Sequence, residues 1–303
     1  MQQRFNVPAS LRALAIGALA SLTLASLTAC GGGGASSGGT PTATVTAMVA
    51  SATRYAGTAT VTINGTGLDS TLAVSSPICA SMALQSGSTA TTATYTCTVS
   101  GGLTGSFTAK SNGTQIGQAT LTVPAPIVTM LVNNGLSAVG NIVITLAPDK
   151  APKTVDNFLH YVNTGFYNNT IFHRVVAGFV MQGGGYAPQI TNTDLTQATL
   201  KPGTFAPIAV ETTGISNVSG TISMANANTS TNSVTTTSQF FINLGNNTNL
   251  DGSYPAFGTI TGGSTVVQAI VAAPAQCVNN TAALTVDCLP IPNVVVTSAT
   301  QTQ

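Results

Sequence analysis

The stretch Phe172-His173-Arg174-Val175-Val176-Ala177-Gly178-Phe179-Val180-Met181-Gln182-Gly183-Gly184-Gly185 sets one arginine among apolar residues and closes on three consecutive glycines. Arg174 is the only arginine beyond residue 54. Desolvating a cation is costly unless something compensates it. A guanidinium beside Phe and Val in so uncharged a chain therefore points to a task for that group; the plain alternative is a strand whose arginine faces solvent. The glycine run could suggest a phosphate loop, but no Lys-Ser/Thr and no clear helix follow it. Close backbone approach is the better reading.

Working outward, charged residues make up 5% of the 303-residue chain, against about 25% in ordinary globular proteins. Thr, Ser, Asn and Gly take the surface role instead. The formal net charge is +1, and removal of Arg4 and Arg12 with a leader leaves six basic residues against seven acidic. No basic patch remains to follow a phosphate backbone, so nucleic acid is not an expected partner. His160 and His173 have no Cys or carboxylate cluster beside them in sequence, so no metal site and no cofactor are expected.

At the N-terminus, Arg4 and Arg12 precede the apolar run Ala13 to Leu27, the form of a secretory signal. The run ends in Leu27-Thr28-Ala29-Cys30, followed by Gly31 to Gly34, and resembles the bacterial lipobox. That resemblance implies cleavage before Cys30 and acylation of its thiol, against an ordinary signal whose cysteine is incidental. Residues 1–29 are then a lipoprotein signal peptide and residues 30–44 a flexible Gly/Ser/Thr linker. The expected location is the bacterial cell envelope, lipid-anchored and facing the periplasm, an oxidising compartment.

From residue 45 short β-branched segments alternate with turn residues. Thr58 to Ile63 stops at Asn64-Gly65, and Ser106 to Lys110 turns at Asn112-Gly113 into Ile116 to Val123. Strands at this spacing suggest a small sandwich over residues 45–123. Tyr95-Thr96-Cys97 resembles the immunoglobulin-type Tyr-x-Cys pattern, so an Ig-like fold is expected, with a spacer or adhesion role. Pro124-Ala125-Pro126 is the natural boundary before a second domain at 126–299. There, Asn141 to Leu146 reads as a strand. Val155, Phe158, Leu159 and Val162 form one apolar helical face after Pro152, ended by Gly165. Strands are also expected at Gln239–Asn243 and Val294–Val296, with a short helix around Thr265–Val271.

Six segments in order resemble the cyclophilin-type peptidyl-prolyl isomerases, above all the exported bacterial branch. They are Ala151 to Phe158, Gly165 to Thr170, Phe172 to Gly185, Gly220 to Asn226, Ser238 to Asn243, and Leu250-Asp251-Gly252 with Phe257-Gly258. The likeness runs from Asn141 to Val296. It implies a mainly β fold, an eight-stranded antiparallel barrel capped by two helices, with a substrate groove on its outer face. It implies Arg174 as the catalytic arginine and Gln182 as the residue that orients it. Phe179, Val180, Phe241 and Leu250 then form the proline slot, with Val180 where the family commonly has methionine. Ala225 and Asn226 supply backbone contacts to the substrate, and Tyr254 stands where many members have His. Asn249 stands where many have Trp or Phe, and the Thr-rich segment 227–237 is longer than the family loop. Phe172 and Phe240 are expected in the barrel core.

The implied chemistry is rotation about X–Pro bonds in folding exported polypeptides. An amide is planar by resonance, with a rotation barrier of about 18–20 kcal/mol, and a catalyst must bind the twisted form best. Twisting gives the proline nitrogen a lone pair that a permanently charged donor can reach. His173 invites a general-base reading, but amide rotation needs no proton transfer and no Gly-x-Ser-x-Gly elbow is present; a structural histidine is expected. The alternative function is a non-catalytic proline-peptide binder or adhesion module on the same scaffold. With Cys30 taken by lipid, four cysteines allow three pairings, and pairing within domains gives Cys79–Cys97 and Cys277–Cys288.

Overall fold

The first seven strands among the described residues split between two sheets. A computed structural model describes residues 42–188, 199–226, 235–280 and 285–303. The leader, Cys30 and the linker to residue 41 lie outside the described residues, as does residue 227–234 of the Thr-rich segment. Strands β1 (Thr44–Ser51), β2 (Thr58–Thr66), β3 (Leu72–Ser75), β4 (Cys79–Leu84), β5 (Thr92–Val99), β6 (Thr104–Ser111) and β7 (Thr114–Thr122) come first. They form an antiparallel sheet in order β1-β2-β5-β4 and another in order β3-β6-β7. Period-two alternation turns Val61 and Ile63, Tyr95, and Phe107 and Ala109 inward to a shared core. The Tyr95 hydroxyl donates to the Leu72 carbonyl at 2.9 Å and ties β5 to β3.

Asn112 and Gly113, at φ 48° and 78°, make the tight turn between β6 and β7. Asn64-Gly65, in contrast, is no turn. Strand β2 runs through it to Thr66 with Val45 of β1 opposite Gly65, where a Cβ would collide with the Thr44 carbonyl. Cys79 is bonded to Cys97 on the adjacent strand of the same sheet, unlike the immunoglobulin bridge between sheets.

The rest of the described chain is β8 (Ile127–Asn133), β9 (Val139–Leu146), α1 (Pro152–Asn163), β10 (Thr170–Val176), β11 (Val180–Gly183), β12 (Ile208–Ala209), β13 (Thr221–Asn226), β14 (Thr235–Asn243), β15 (Ala256–Gly262), α2 (Ser264–Val271), β16 (Ala275–Asn280), β17 (Thr285–Pro290) and β18 (Val295–Gln301). Eight of these strands close on themselves as β10-β11-β14-β13-β15-β9-β8-β18 and back to β10, an antiparallel barrel. Closure removes the exposed sheet edges that invite association. Among the described residues α1 and α2 are the only α-helices.

Pro152 opens α1 with a backbone angle already suited to the first turn. Glu211 accepts hydrogen bonds from the amides of Lys153 and Thr154, satisfying donors that a helix start leaves free. The predicted stripe Val155, Phe158, Leu159 and Val162 is buried. Phe158 lies 5.0 Å from Phe257 and 5.8 Å from Phe240, ring centre to ring centre, within one aromatic core.

The barrel and the preceding sheets are bonded together. Fully buried Tyr55 donates to an Asp156 carboxylate oxygen on α1 at 2.6 Å and accepts from the Gly101 amide at 2.9 Å. Gln301 of β18 donates to the Tyr55 carbonyl, and Asp149 accepts from the Leu103 amide. Burial holds the Asp156 carboxyl above its ordinary range, and burial next to Asp156 pushes the Tyr55 phenol far up.

Candidate active site

Strand β10 carries Arg174, and a bulge decides where it points. Phe172 is paired with Gly183 and Arg174 with Gln182, so His173 is the extra residue between them. Such an insertion re-aims the side chains on either side of it. Phe172 faces the barrel core with no exposed surface, whereas Arg174 reaches the outer face and is 24% exposed.

The register then draws one line across three strands. Arg174 on β10 is opposite Gln182 on β11, and Gln182 is opposite Phe241 on β14. Side chains in register share a face, so guanidinium, amide and ring stand side by side on the outside of the barrel. Beside them Val180, Ala225 and Phe241 form a buried apolar cluster of their own, with Phe179, Leu250 and Tyr254 packed on it at partial exposure. The Phe241 and Tyr254 rings meet edge to face at 5.7 Å, and the Arg174 guanidinium carbon lies 5.7 Å over the Phe179 ring. The structure thus brings together Arg174, Phe179, Val180, Gln182, Ala225, Phe241, Leu250 and Tyr254. Asn226 ends β13 at the edge of this group, and its side-chain oxygen is buried without a hydrogen-bond partner among the described residues. Asn249 is exposed and adds no wall.

Glycines permit the close packing behind this face. A Cβ on Gly183 would meet the Phe172 ring at 2.9 Å, and one on Gly185 would meet the Gln239 side chain at 2.6 Å. The triple-glycine run is a packing device.

His173 belongs to the wall and not to the groove. It is 5% exposed, meets the Tyr186 ring edge to face at 4.7 Å, and its Nδ1 has no hydrogen-bond partner among the described residues. Burial, reinforced by the charge of Arg174, pushes its pKa down to about 4. The imidazole is neutral at physiological pH.

Three supporting side chains were not singled out from sequence. Gln239 accepts a hydrogen bond from Gln182 Nε2 at 2.9 Å and so fixes the amide beside Arg174. Asn247 donates to the Phe179 carbonyl and to Asn243, both at 2.8 Å. Asn217 donates to the Tyr254 carbonyl at 3.1 Å and to Asp251 at 3.0 Å, and accepts from Ser223 and Asn243. The amide hydrogen bonds from Asn217 hold the Asp251 carboxyl below its ordinary range. A buried network with its hydrogen bonds made is rigid, and this one holds the backbone on both sides of the slot. Asparagines read as loop residues in a sequence; only the pairing of distant loops reveals their work.

The site therefore offers an apolar cluster on the outer face, flanked by a permanently charged donor and a fixed amide. Among the described residues it holds no nucleophile and no titrating base aimed at this cluster. Such a surface can bind a proline ring and present donors to its nitrogen.

The family model for cyclophilin-type peptidyl-prolyl cis-trans isomerases matches residues 127–300. Peptidyl-prolyl cis-trans isomerase A of Dickeya dadantii is 41% identical over 140 residues, which cover 44% of this chain and 67% of that protein. A peptidyl-prolyl cis-trans isomerase of Streptomyces antibioticus is 41% identical over 143 residues, 44% of this chain and 79% of its own. Peptidyl-prolyl cis-trans isomerase B of Escherichia coli is 41% identical over 140 residues, 43% of this chain and 78% of its own.

Proposed function

The chain belongs to the cyclophilin-type peptidyl-prolyl cis-trans isomerase family, and we propose that it catalyses rotation about X–Pro bonds in exported polypeptides, with Arg174 stabilising the twisted amide. The observation that carries this reading is the Arg174–Gln182–Phe241 line. It sets a charged donor and an oriented amide against an apolar slot. The proline ring enters the recess of Val180, Phe241 and Leu250, with Phe179 and Tyr254 at its sides. A planar amide has its nitrogen lone pair delocalised. As the bond twists, nitrogen pyramidalises and the lone pair becomes an acceptor for Arg174. The interaction grows toward the transition state, which is the condition for acceleration rather than mere binding. Gln182, held by Gln239, keeps its donor and acceptor in place beside the guanidinium.

Two finer points complete the reading. Cys30 is acylated after export and tethers the protein to the envelope membrane, facing the periplasm. The paired sheets of residues 45–123 act as an Ig-like spacer between anchor and barrel. The lipobox resemblance supports the first point, and the antiparallel strands with a shared core support the second.

The test is a protease-coupled isomerisation assay on the purified protein, with peptides carrying a cis X–Pro bond. Acceleration proportional to enzyme concentration is expected. Proline-peptide binding without acceleration would instead favour the non-catalytic binder.

A further inference from the structure

Strand β10 has two partners along one edge. Thr170 and Ile171 pair with β18, and Val175 pairs with Cys288 of β17. The β16–β17 hairpin is thus laid against the barrel at the height of the active site. It is closed by the disulfide between the cross-strand pair Cys277 and Cys288. Because Cys288 stands opposite Val175, its neighbour Asp287 shares a face with Arg174 and Val176 and lies diagonal to Arg174, within reach of a long side chain. There its Oδ1 meets Arg174 Nη2 at 3.0 Å, with the two side chains 19% and 24% exposed. The guanidinium is held between this carboxylate and the Phe179 ring.

Resting on the isomerase reading above, we propose that Asp287 is a positioning residue for Arg174, anchored by the Cys277–Cys288 hairpin. Arginine has many rotamers, and a donor that must be in place before the amide twists gains from having one of them selected. A carboxylate bound to Nη2 leaves the remaining guanidinium N–H groups for substrate. It also offsets the cost of holding a cation against Phe179. The disulfide gives the restraint its stiffness, since Asp287 adjoins Cys288 and Cys288 is fixed to Cys277 across the hairpin. This arrangement predicts that Asp287 acts on turnover and leaves the apolar slot untouched.

The test measures kcat and KM for isomerisation, and proline-peptide affinity by titration, in the wild type, Asp287→Asn, Asp287→Glu, the Cys277→Ser/Cys288→Ser double variant, and the double variant combined with Asp287→Asn. Asp287→Asn is expected to lower kcat on the order of 10-fold, less than removal of the guanidinium itself, with KM and peptide affinity unchanged. Asp287→Glu should recover most of the rate. The cysteine variant should lose a similar factor, with little further loss when Asp287→Asn is added, because both act through one restraint. Unchanged kcat in Asp287→Asn, or a loss that appears equally in KM and peptide affinity, would overturn the positioning role. Losses from the cysteine and Asp287 changes that simply multiply would overturn the anchoring. A wild type that fails to accelerate isomerisation at all would overturn the isomerase reading, and this inference with it.

Discussion

Phe240 and Phe241 are adjacent in the chain and face opposite sides of the barrel wall. Phe240 has no exposed surface and lies 5.3 Å from the Tyr167 ring, edge to face, inside the barrel. Phe241 packs with Val180, Ala225 and Tyr254 on the outside. One residue packs the barrel core, and its neighbour packs the apolar cluster on the outer face.

Substitution should separate these roles. Phe240→Ala leaves a cavity among packed rings and is expected to cost about 3–5 kcal/mol of stability, read as a lowered urea midpoint. Phe241→Ala should cost less stability and weaken binding of proline peptides, read as a raised KM. Equal stability losses with unchanged KM in Phe241→Ala would remove Phe241 from the slot.

Tyr55→Phe removes the hydroxyl that joins Asp156 to Gly101. The half-buried Asp156 carboxyl loses a donor and the amide of exposed Gly101 loses an acceptor; an unsatisfied buried polar group costs about 1–3 kcal/mol, and the loss here should lie at the lower end. The thermal midpoint should fall, while the rate of proline isomerisation at 25 °C stays near the wild-type value, because the groove does not touch Tyr55. A variant as stable as the wild type would show that this contact contributes nothing.

His173 gives stability a sign with pH. Its folded pKa of about 4 lies below its unfolded value, about 6.5. Between these values the unfolded chain binds the extra proton, so stability falls as pH drops from about 6.5 toward 4. The loss is on the order of 2 kcal/mol by pH 4.5. Urea midpoints at pH 7.5 and pH 4.5 should therefore spread further apart in the wild type than in His173→Phe. The raised carboxyl of Asp156 acts in the opposite direction but equally in both proteins, so the difference isolates the imidazole. Identical pH dependence in the two would contradict a buried neutral His173.

The anchor has its own test. With Cys30 as the acylation site, Cys30→Ser should leave the protein unlipidated and abnormally processed, and more than one acyl chain is expected on the wild type because a single chain holds only marginally. Mass spectrometry of the mature N-terminus reads this directly. An unmodified Cys30, or cleavage elsewhere, would refute the anchor.

Much of the barrel was legible in the sequence because its signals are local. The helical stripe Val155 to Val162 and the outward and inward phenylalanines follow from periodicity and family pattern. Asn64-Gly65 misled because an Asn-Gly pair suits a hairpin turn, yet here the neighbouring strand β1 claims it for pairing. Gln239, Asn217 and Asn247 could not be assigned from sequence, since their partners lie on other strands and loops. Asp287 was hidden for the same reason. Nothing local links it to Arg174, 113 positions earlier; only the β10–β17 pairing brings them together.

The most direct measurement of how the site works is kcat for Arg174→Ala beside the affinity of the same variant for a proline peptide, with kcat of the wild type followed from pH 6 to 9. A guanidinium that acts only on the twisted amide should cost about 10²–10³ in kcat when removed, with peptide affinity little changed because the slot of Val180, Phe241 and Leu250 remains. Arginine does not titrate in this range and His173 is already neutral, so the wild-type rate should be nearly flat. A bell-shaped profile that disappears in His173→Ala and survives in Arg174→Ala would contradict this mechanism and assign the step to proton transfer.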